Sequence, residues 1–307
     1  MTAHQHTNSQ SAAKGSPFQP MLVILFCLLF TLAIALAGGQ GGANVVIAGV
    51  TVPALMICVA LSFAINWIVF LPSWLAQTEH FFDLTGSLCF ISLSLLALTL
   101  SEAPDLRATL LTALVCLWAM RLGSFLFWRV RKDGSDGRFD AIKPVFSRFL
   151  VTWTIQAVWV FVTSAAALTA ITSTQRVEMD TIAWVGVALW LIGFVMEVTA
   201  DLQKRRFRSN PANHGRFITS GLWAWSRHPN YFGEIVLWLG IALVAAPVLQ
   251  GWQLFSLISP VFVILLLTRV SGIPLLEARA QKRWGDDPEW HAYRQRTSRL
   301  IPRPPAA

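Results

Sequence analysis

The densest run of reactive side chains lies between Glu197 and Glu234, in EVTADLQKRRFRSNPANHGRFITSGLWAWSRHPNYFGE. Glu197 and Asp201 stand four apart and so share one helix face, near the end of an apolar segment where bare carboxylates are costly. Each needs a partner, either an arginine or a ligand hydroxyl or amide. Lys204, Arg205 and Arg208 follow, with Arg216 a little downstream, and arginine grips phosphate oxygens in bidentate fashion. The alternative for these cations is a cluster that stops a membrane span and pairs with lipid phosphates. Beyond them, SRHPNYFGE sets Arg227, His228, Asn230, Tyr231 and Glu234 at the mouth of a helix that Pro229 is suited to open. Free N–H groups at such an end, with Arg227 and His228 beside them, make an anion seat, and Asn230, Tyr231 and Glu234 fall one or two turns further in.

Arg121 is the most conspicuous charge inside an apolar segment, two turns from its inner end, and requires a neutralising partner. The stretch holding Gln77, Glu79, His80 and Asp83 contains no Lys or Arg, and Asp83 is the first candidate. Such a pair is either structural or holds a substrate carbonyl. The segment RKDGSDGRFD, 131–140, carries Arg138 and Asp140 among turn-forming glycines, and either folds over the same region or is a plain turn.

These residues need elements to position them. Apolar segments run at about 18–38, 46–70, 84–100, 108–128, 149–171, 182–200, 231–249 and 253–270, several long enough to cross roughly 30 Å of hydrocarbon. The expected fold is all-α, a polytopic membrane bundle of seven or eight transmembrane helices. Alternate connections hold few basic residues, Arg107 and Arg176 among them. The opposite set is rich in Arg and Lys, so the positive-inside rule puts both termini in the cytoplasm. After the last span, a break at Gly285 and a restart at Asp286, Asp287 and Pro288 predict two short interfacial helices, with Leu275, Leu276, Trp284, Trp290 and Tyr293 on their apolar side. Residues 18–302 then form a single transmembrane domain, flanked by a disordered cytoplasmic tail over 1–17 and a short tail over 303–307.

Composition excludes other classes. The chain has 307 residues, of which 55% are hydrophobic and 13% charged, too apolar for a soluble domain. A net charge of +8 placed on one side is an orientation signal first, which argues against a nucleic-acid partner and for a bilayer and a lipid-like substrate. Cys27, Cys58, Cys89 and Cys116 lie in apolar segments without C-x-x-C spacing, and read as packing residues with no metal site. The glycines at 38, 39, 41 and 42 follow no strand and precede no lysine, so they do not make a phosphate loop.

At SRHPNYFGE and DLQKRRFR the sequence resembles the steroid 5α-reductase superfamily, and within it a bacterial branch of membrane proteins (DUF1295-like). QTEHFFDLTG (77–86), RLGSFLFWRV (121–130), DGRFD (136–140) and WGDDPEWHAYRQRTSRLIP carry the resemblance further, over about residues 45–302. It implies a multi-pass protein of a bacterial inner membrane in which basic loops and helix ends enclose NADPH and reduce a carbon–carbon double bond of a lipid or sterol-like enone. Carried over by motif position, Arg138, Glu197, Asp201, Arg208, Arg216, Asn230 and Glu234 become cofactor contacts, with Arg205, Arg227 and His228 beside them. The steroid enzymes' Gln-Pro-Glu element is missing, so Asp83, Arg121 and Tyr231 stand as the catalytic candidates. Arg227 to Gly233 also resembles membrane methyltransferases acting on isoprenylcysteine or phospholipids. Their cofactor, S-adenosylmethionine, carries no phosphate and does not call for so many arginines.

Overall fold

The computed structural model describes residues 18–305 apart from Ser135 and the Asp133 side chain; the expected 1–17 tail, Lys14 included, lies outside the described residues. Among the described residues, eight helical segments are long and apolar enough to cross a membrane, and the bundle is all-α and polytopic. In chain order they begin with α1 (Phe18–Gly38), α2 (Ala54–Leu75), α3 (Phe82–Leu100) and α4 (Leu106–Asp133). Next come α5 (Phe146–Thr172), α6 (Thr181–Ser209), a short α7 (Leu222–Trp225) and α8 (Pro229–Ala245). The last span combines a 3-10 stretch, Gly251–Leu257, with α9 (Ile258–Leu265), before α10 (Ile273–Trp284) and α11 (Pro288–Arg296).

One apolar segment divides differently from its hydropathy. Residues 46–53 leave the predicted second span and, with 44 and 45, form a hairpin, β1 (Asn44–Ile47) paired antiparallel with β2 (Val50–Pro53). Valine and isoleucine suit a strand, and Ala48 and Gly49 turn with φ of 49° and 82°, the left-handed pair of a two-residue hairpin loop. The sixth helix differs in the other direction. It extends beyond its apolar segment, 182–200, to Ser209, so Lys204, Arg205 and Arg208 lie on the same helix as Glu197 and Asp201.

Centrally placed α5 touches α1, α2, α3, α4, α8 and α9. Its second half is continuously buried from Val160 to Thr172 and rich in Ala, Ser and Thr, small enough to let neighbours close in on every side. Ser164 and Thr172 return their hydroxyls to carbonyls one turn back, so burial leaves them satisfied. Helices α6 and α8 meet along a second seam of small residues. Gly186 and Gly193 on α6 face Gly240 and Gly233 on α8, backbone against backbone. That seam fixes the height of Glu197 and Asp201 relative to Glu234.

At the basic end, the α4–α5 connection is pinned under α2 and α3. Glu79, 3% exposed, accepts from the Asp136 amide at 2.9 Å and from Lys143 Nζ at 2.8 Å, and His80 Nε2 lies 2.8 Å from the Gly134 carbonyl. Burial alone would raise the Glu79 pKa, but the Lys143 hydrogen bond and the Asp136 amide outweigh it and hold it below its ordinary 4.5. Because the native state then binds its proton less readily than the unfolded chain, Glu79 stabilises above pH 4.5, and that contribution is lost as pH falls through its depressed pKa. Glu79→Gln is expected to free the 131–145 segment at neutral pH. Limited proteolysis would report it as faster cleavage there, and unchanged cleavage would refute the pinning role.

On the same end, α10 and α11 fold back as the predicted surface helices. Phe217, Trp284, Trp290 and Tyr293 cluster with their rings edge-on or tilted to one another, and Tyr293 Oη donates to the Trp223 carbonyl at 2.7 Å. The chain after α11 runs beside the start of α8, where Arg227 N donates to Ser298 O and Ser226 Oγ to Leu300 O.

Candidate functional site

Arg121 forks between two carboxylates of α6. Its Nη1 lies 2.6 Å from Glu197 Oε1 and its Nη2 2.6 Å from Asp201 Oδ2, while Trp118 Nε1 donates to the other Glu197 oxygen at 3.1 Å. The four-residue spacing of Glu197 and Asp201 presents both acids to one guanidinium, as the helix repeat requires. Phe125, one turn on, lies over that guanidinium at 5.4 Å. The expected pair of Arg121 with Asp83 does not form. Asp83 sits at the first turn of α3, facing Arg129 at 3.7 Å and Arg138 at 3.9 Å, because the last turns of α4 and the connection after it pass directly over it.

Beside this ion triad a cleft of about 580 Å³ opens at the basic end. Arg129 and Lys132 of α4, with Arg138 from the α4–α5 connection, form one wall. Lys204, Arg205 and Arg208 of α6 form another, Arg279 of α10 contributes from the covering helix, and Leu275 and Leu276 roof it with their side chains. Only Asp136 and Asp201 oppose these cations among the described lining residues. Asn230 and Tyr231, in the first turn of α8, complete the lining, and a volume of this size is ordinary for a cofactor site. Arg138 is itself tied to Asp136, at 2.5 Å; burial opposes its charge, but Asp136 and Asp83 outweigh that and raise its pKa, so the wall stays cationic.

The cleft thus gathers Arg138, Asp201, Arg205, Arg208, Asn230 and Tyr231 from separate sequence motifs. It does not gather Arg216, which is exposed elsewhere, nor Arg227 and His228. Those two turn away to Glu277 on α10, with Arg227 Nη1 to Oε2 at 2.9 Å and His228 Nε2 to Oε1 at 3.0 Å. The expected anion seat at the start of α8 is therefore already filled by a carboxylate of the chain itself. Burial pushes the His228 pKa down, against the pull of Glu277, which favours a neutral ring. That ring stacks on Tyr231, centroids 5.9 Å apart and planes within 10°, and so backs the tyrosine that lines the cleft. Glu197 and Glu234 are buried beneath the cleft rather than on its surface. Arg279 and the aromatic pair Phe125 and Trp128 escaped the sequence reading. The signal for Arg279 was its four-residue spacing from Leu275 on an amphipathic helix.

The sequence profile of DUF1295, a protein family of unknown function, matches residues 69–297. The chain belongs to this family. That range contains the cleft's lining residues, the ion triad and the contacts of Arg227 and His228 with Glu277. Among curated proteins, the family member described here is 24% identical over 229 residues to an uncharacterized protein of Schizosaccharomyces pombe, covering 64% of each chain. It is 39% identical over 67 residues to 3-oxo-5-alpha-steroid 4-dehydrogenase 1 of Bos taurus, covering 22% of this chain and 26% of the relative. It is also 30% identical over 69 residues to the probable O-methyltransferase ustE of Ustilaginoidea virens, covering 22% and 24%. The chain therefore spans less than two thirds of the first relative and about a quarter of the other two. No solved structure matches it. The family is steroid 5α-reductase-like over the short stretch that it shares with those enzymes.

Proposed function

We propose that the protein is an NADPH-dependent membrane reductase that saturates a carbon–carbon double bond conjugated to a carbonyl in a lipid-like substrate. The observation that carries this reading is the ring of arginines and lysines around a single cleft, too many for orientation alone and matched to a ligand with several phosphates. The similarity to steroid 4-dehydrogenases supports the same chemistry. With the basic end in the cytoplasm, the cleft faces the cellular dinucleotide pool.

When bound, NADPH would supply a hydride for the carbon β to the carbonyl, and a proton from water would complete the α carbon. Arg205 and Arg208 would hold its diphosphate, and Arg138, Lys132 and Arg279 offer the further cations that a 2′-phosphate needs and that NADH would leave unmatched. Asn230 provides an amide for hydrogen bonding, and Tyr231 a hydroxyl that can donate to the carbonyl oxygen, its ring steadied by His228. Asp201 marks the boundary between the cleft and the Arg121 triad. Asp83 acts through Arg129 and Arg138, as a positioning residue behind the wall.

Fluorescence titration of the purified protein tests this. NADPH is expected to bind saturably and more tightly than NADH, and Arg208→Ala to weaken it roughly 10- to 100-fold, the worth of one charge-assisted contact. Equal affinity for the two nucleotides would remove the 2′-phosphate assignment. The similarity to the probable O-methyltransferase favours a second reading, methyl transfer from S-adenosylmethionine, but that cofactor leaves the cation ring without a counterpart. Saturable S-adenosylmethionine binding without NADPH binding would replace the first reading by the second.

A further inference from the structure

The chain after α11 returns as a strap along the entry to α8, held by three hydrogen bonds. Arg227 N donates to Ser298 O at 2.8 Å, Ser226 Oγ to Leu300 O at 2.7 Å, and Arg303 N to Trp225 O at 3.0 Å. Exposure alternates along the strap. Ser298, Leu300 and Pro302 are half-buried, with Leu300 packed on the core, while Arg299, Ile301 and Arg303 are exposed. That is the pattern of a segment lying on a surface with alternate side chains inward and outward. Its outward side therefore reads basic, apolar, basic, with Ile301 55% exposed and Trp225, across the last hydrogen bond, 46% exposed.

Nothing in the chain answers these charges. Residues 202–233 contain no Asp or Glu, and neither do residues 290–307, so the pairing of strap and α8 entry brings two acid-free basic stretches together. Glu277 reaches toward them from α10, but it is already taken by Arg227, His228 and Arg294. Among the described residues, Arg299 and Arg303 form no ion pair. An orientation signal accounts for the sign of the arginines, but not for an isoleucine and a tryptophan left bare beside them. Height supplies the reason. Trp225 precedes Pro229 by four residues, and α8 enters the membrane there, so the patch lies level with the lipid headgroups, where tryptophan is favoured.

We infer that Arg299, Arg303, Ile301 and Trp225 form a seat for one anionic phospholipid of the leaflet on the basic side. The two guanidinium groups take its phosphate, and the isoleucine and the indole meet the glycerol and upper acyl carbons. A free phosphate would satisfy the arginines and leave the apolar pair in water; a zwitterionic lipid would set its own cation against them. The seated lipid ties the strap, and through the Ser298 and Leu300 hydrogen bonds the entry to α8, to the membrane surface. The inference is independent of which cofactor the cleft takes.

Native mass spectrometry of the full-length protein in detergent, titrated with phosphatidylglycerol or phosphatidylcholine, tests it. Phosphatidylglycerol is expected to be retained saturably and phosphatidylcholine more weakly. The double substitution Arg299→Gln with Arg303→Gln should weaken phosphatidylglycerol retention about tenfold. Lys282→Gln with Arg283→Gln removes the same charge from exposed positions at the end of α10 and should leave retention as it was. Ile301→Glu lowers the net charge by one rather than two, yet puts an acid between the arginines, and should weaken retention at least as much as the first pair. Equal losses from the two double substitutions, or an Ile301→Glu protein that retains the lipid normally, would mean diffuse attraction to a basic face and overturn the seat. Equal retention of the two lipids would overturn its anionic character, and displacement by inorganic phosphate as readily as by phosphatidylglycerol would overturn the lipid assignment.

Discussion

Arg121→Ala is expected to destabilise the folded protein by roughly 3–5 kcal/mol, because it strips the counter-charge from two carboxylates held away from water. Glu197 is 2% exposed and Asp201 7%, and Glu234 lies buried in the same neighbourhood, so water screens the orphaned acids poorly. In thermal unfolding of detergent-solubilised protein this corresponds to a fall of roughly 6–20 °C in apparent Tm. The double substitution Glu197→Gln with Asp201→Asn, made on top of Arg121→Ala, should recover a large part of that loss, since it removes the charges whose pairing was lost. Arg121→Lys should fall between, as one ammonium cannot span two carboxylates as a guanidinium fork does. An Arg121→Ala protein that melts with the wild type would show that the triad holds nothing together.

The second large effect is expected at the α6–α8 seam. A Cβ placed on Gly193 would stand 2.5 Å from the Gly233 carbonyl oxygen and 2.5 Å from the Leu237 nitrogen, both backbone atoms that cannot swing aside. Gly193→Ala is therefore expected to cost at least roughly 1–3 kcal/mol, and Gly193→Val more, by forcing two spans apart. The same displacement shifts Glu197 and Asp201 against Asn230 and Tyr231, so NADPH affinity should fall along with stability. Gly137→Ala provides the contrast, for there the added carbon meets just Asp140 Oδ2 at 3.5 Å, an ordinary contact, and stability should change by about 0.5 kcal/mol or less. A Gly193→Val protein with unchanged melting and nucleotide affinity would mean that the helices do not meet as described.

Reading the sequence located the spans well, since length and hydropathy are local properties that each segment carries by itself. Where it erred, two local signals overlapped. The Val-rich start of the second segment satisfied hydropathy and strand preference alike, and the Ala48–Gly49 turn decided for a hairpin. Hydropathy marks the end of the apolar segment near residue 200 but not the end of α6, because Lys and Arg are good helix formers and the helix continues to Ser209. At the site, the block from Glu197 to Glu234 was recognised as a unit. Its division among the cleft, the ion triad and the contacts with Glu277 was not.

That division could not have been read from the linear chain. Composition and spacing determined that this is a polytopic helical bundle with a basic end, that Glu197 and Asp201 share a face, and that Arg121 must have an acidic partner. Tertiary structure alone decided that the partner is the Glu197 and Asp201 pair rather than Asp83, that Glu277 captures Arg227 and His228, and that Arg279 joins the cleft. The reason is physical: a charge inside an apolar segment announces its need through its own cost of desolvation, but several acids on one side of the membrane can answer it. Which one does depends on helix heights and rotations set by backbone contacts such as the Gly193–Gly233 crossing, between residues forty positions apart.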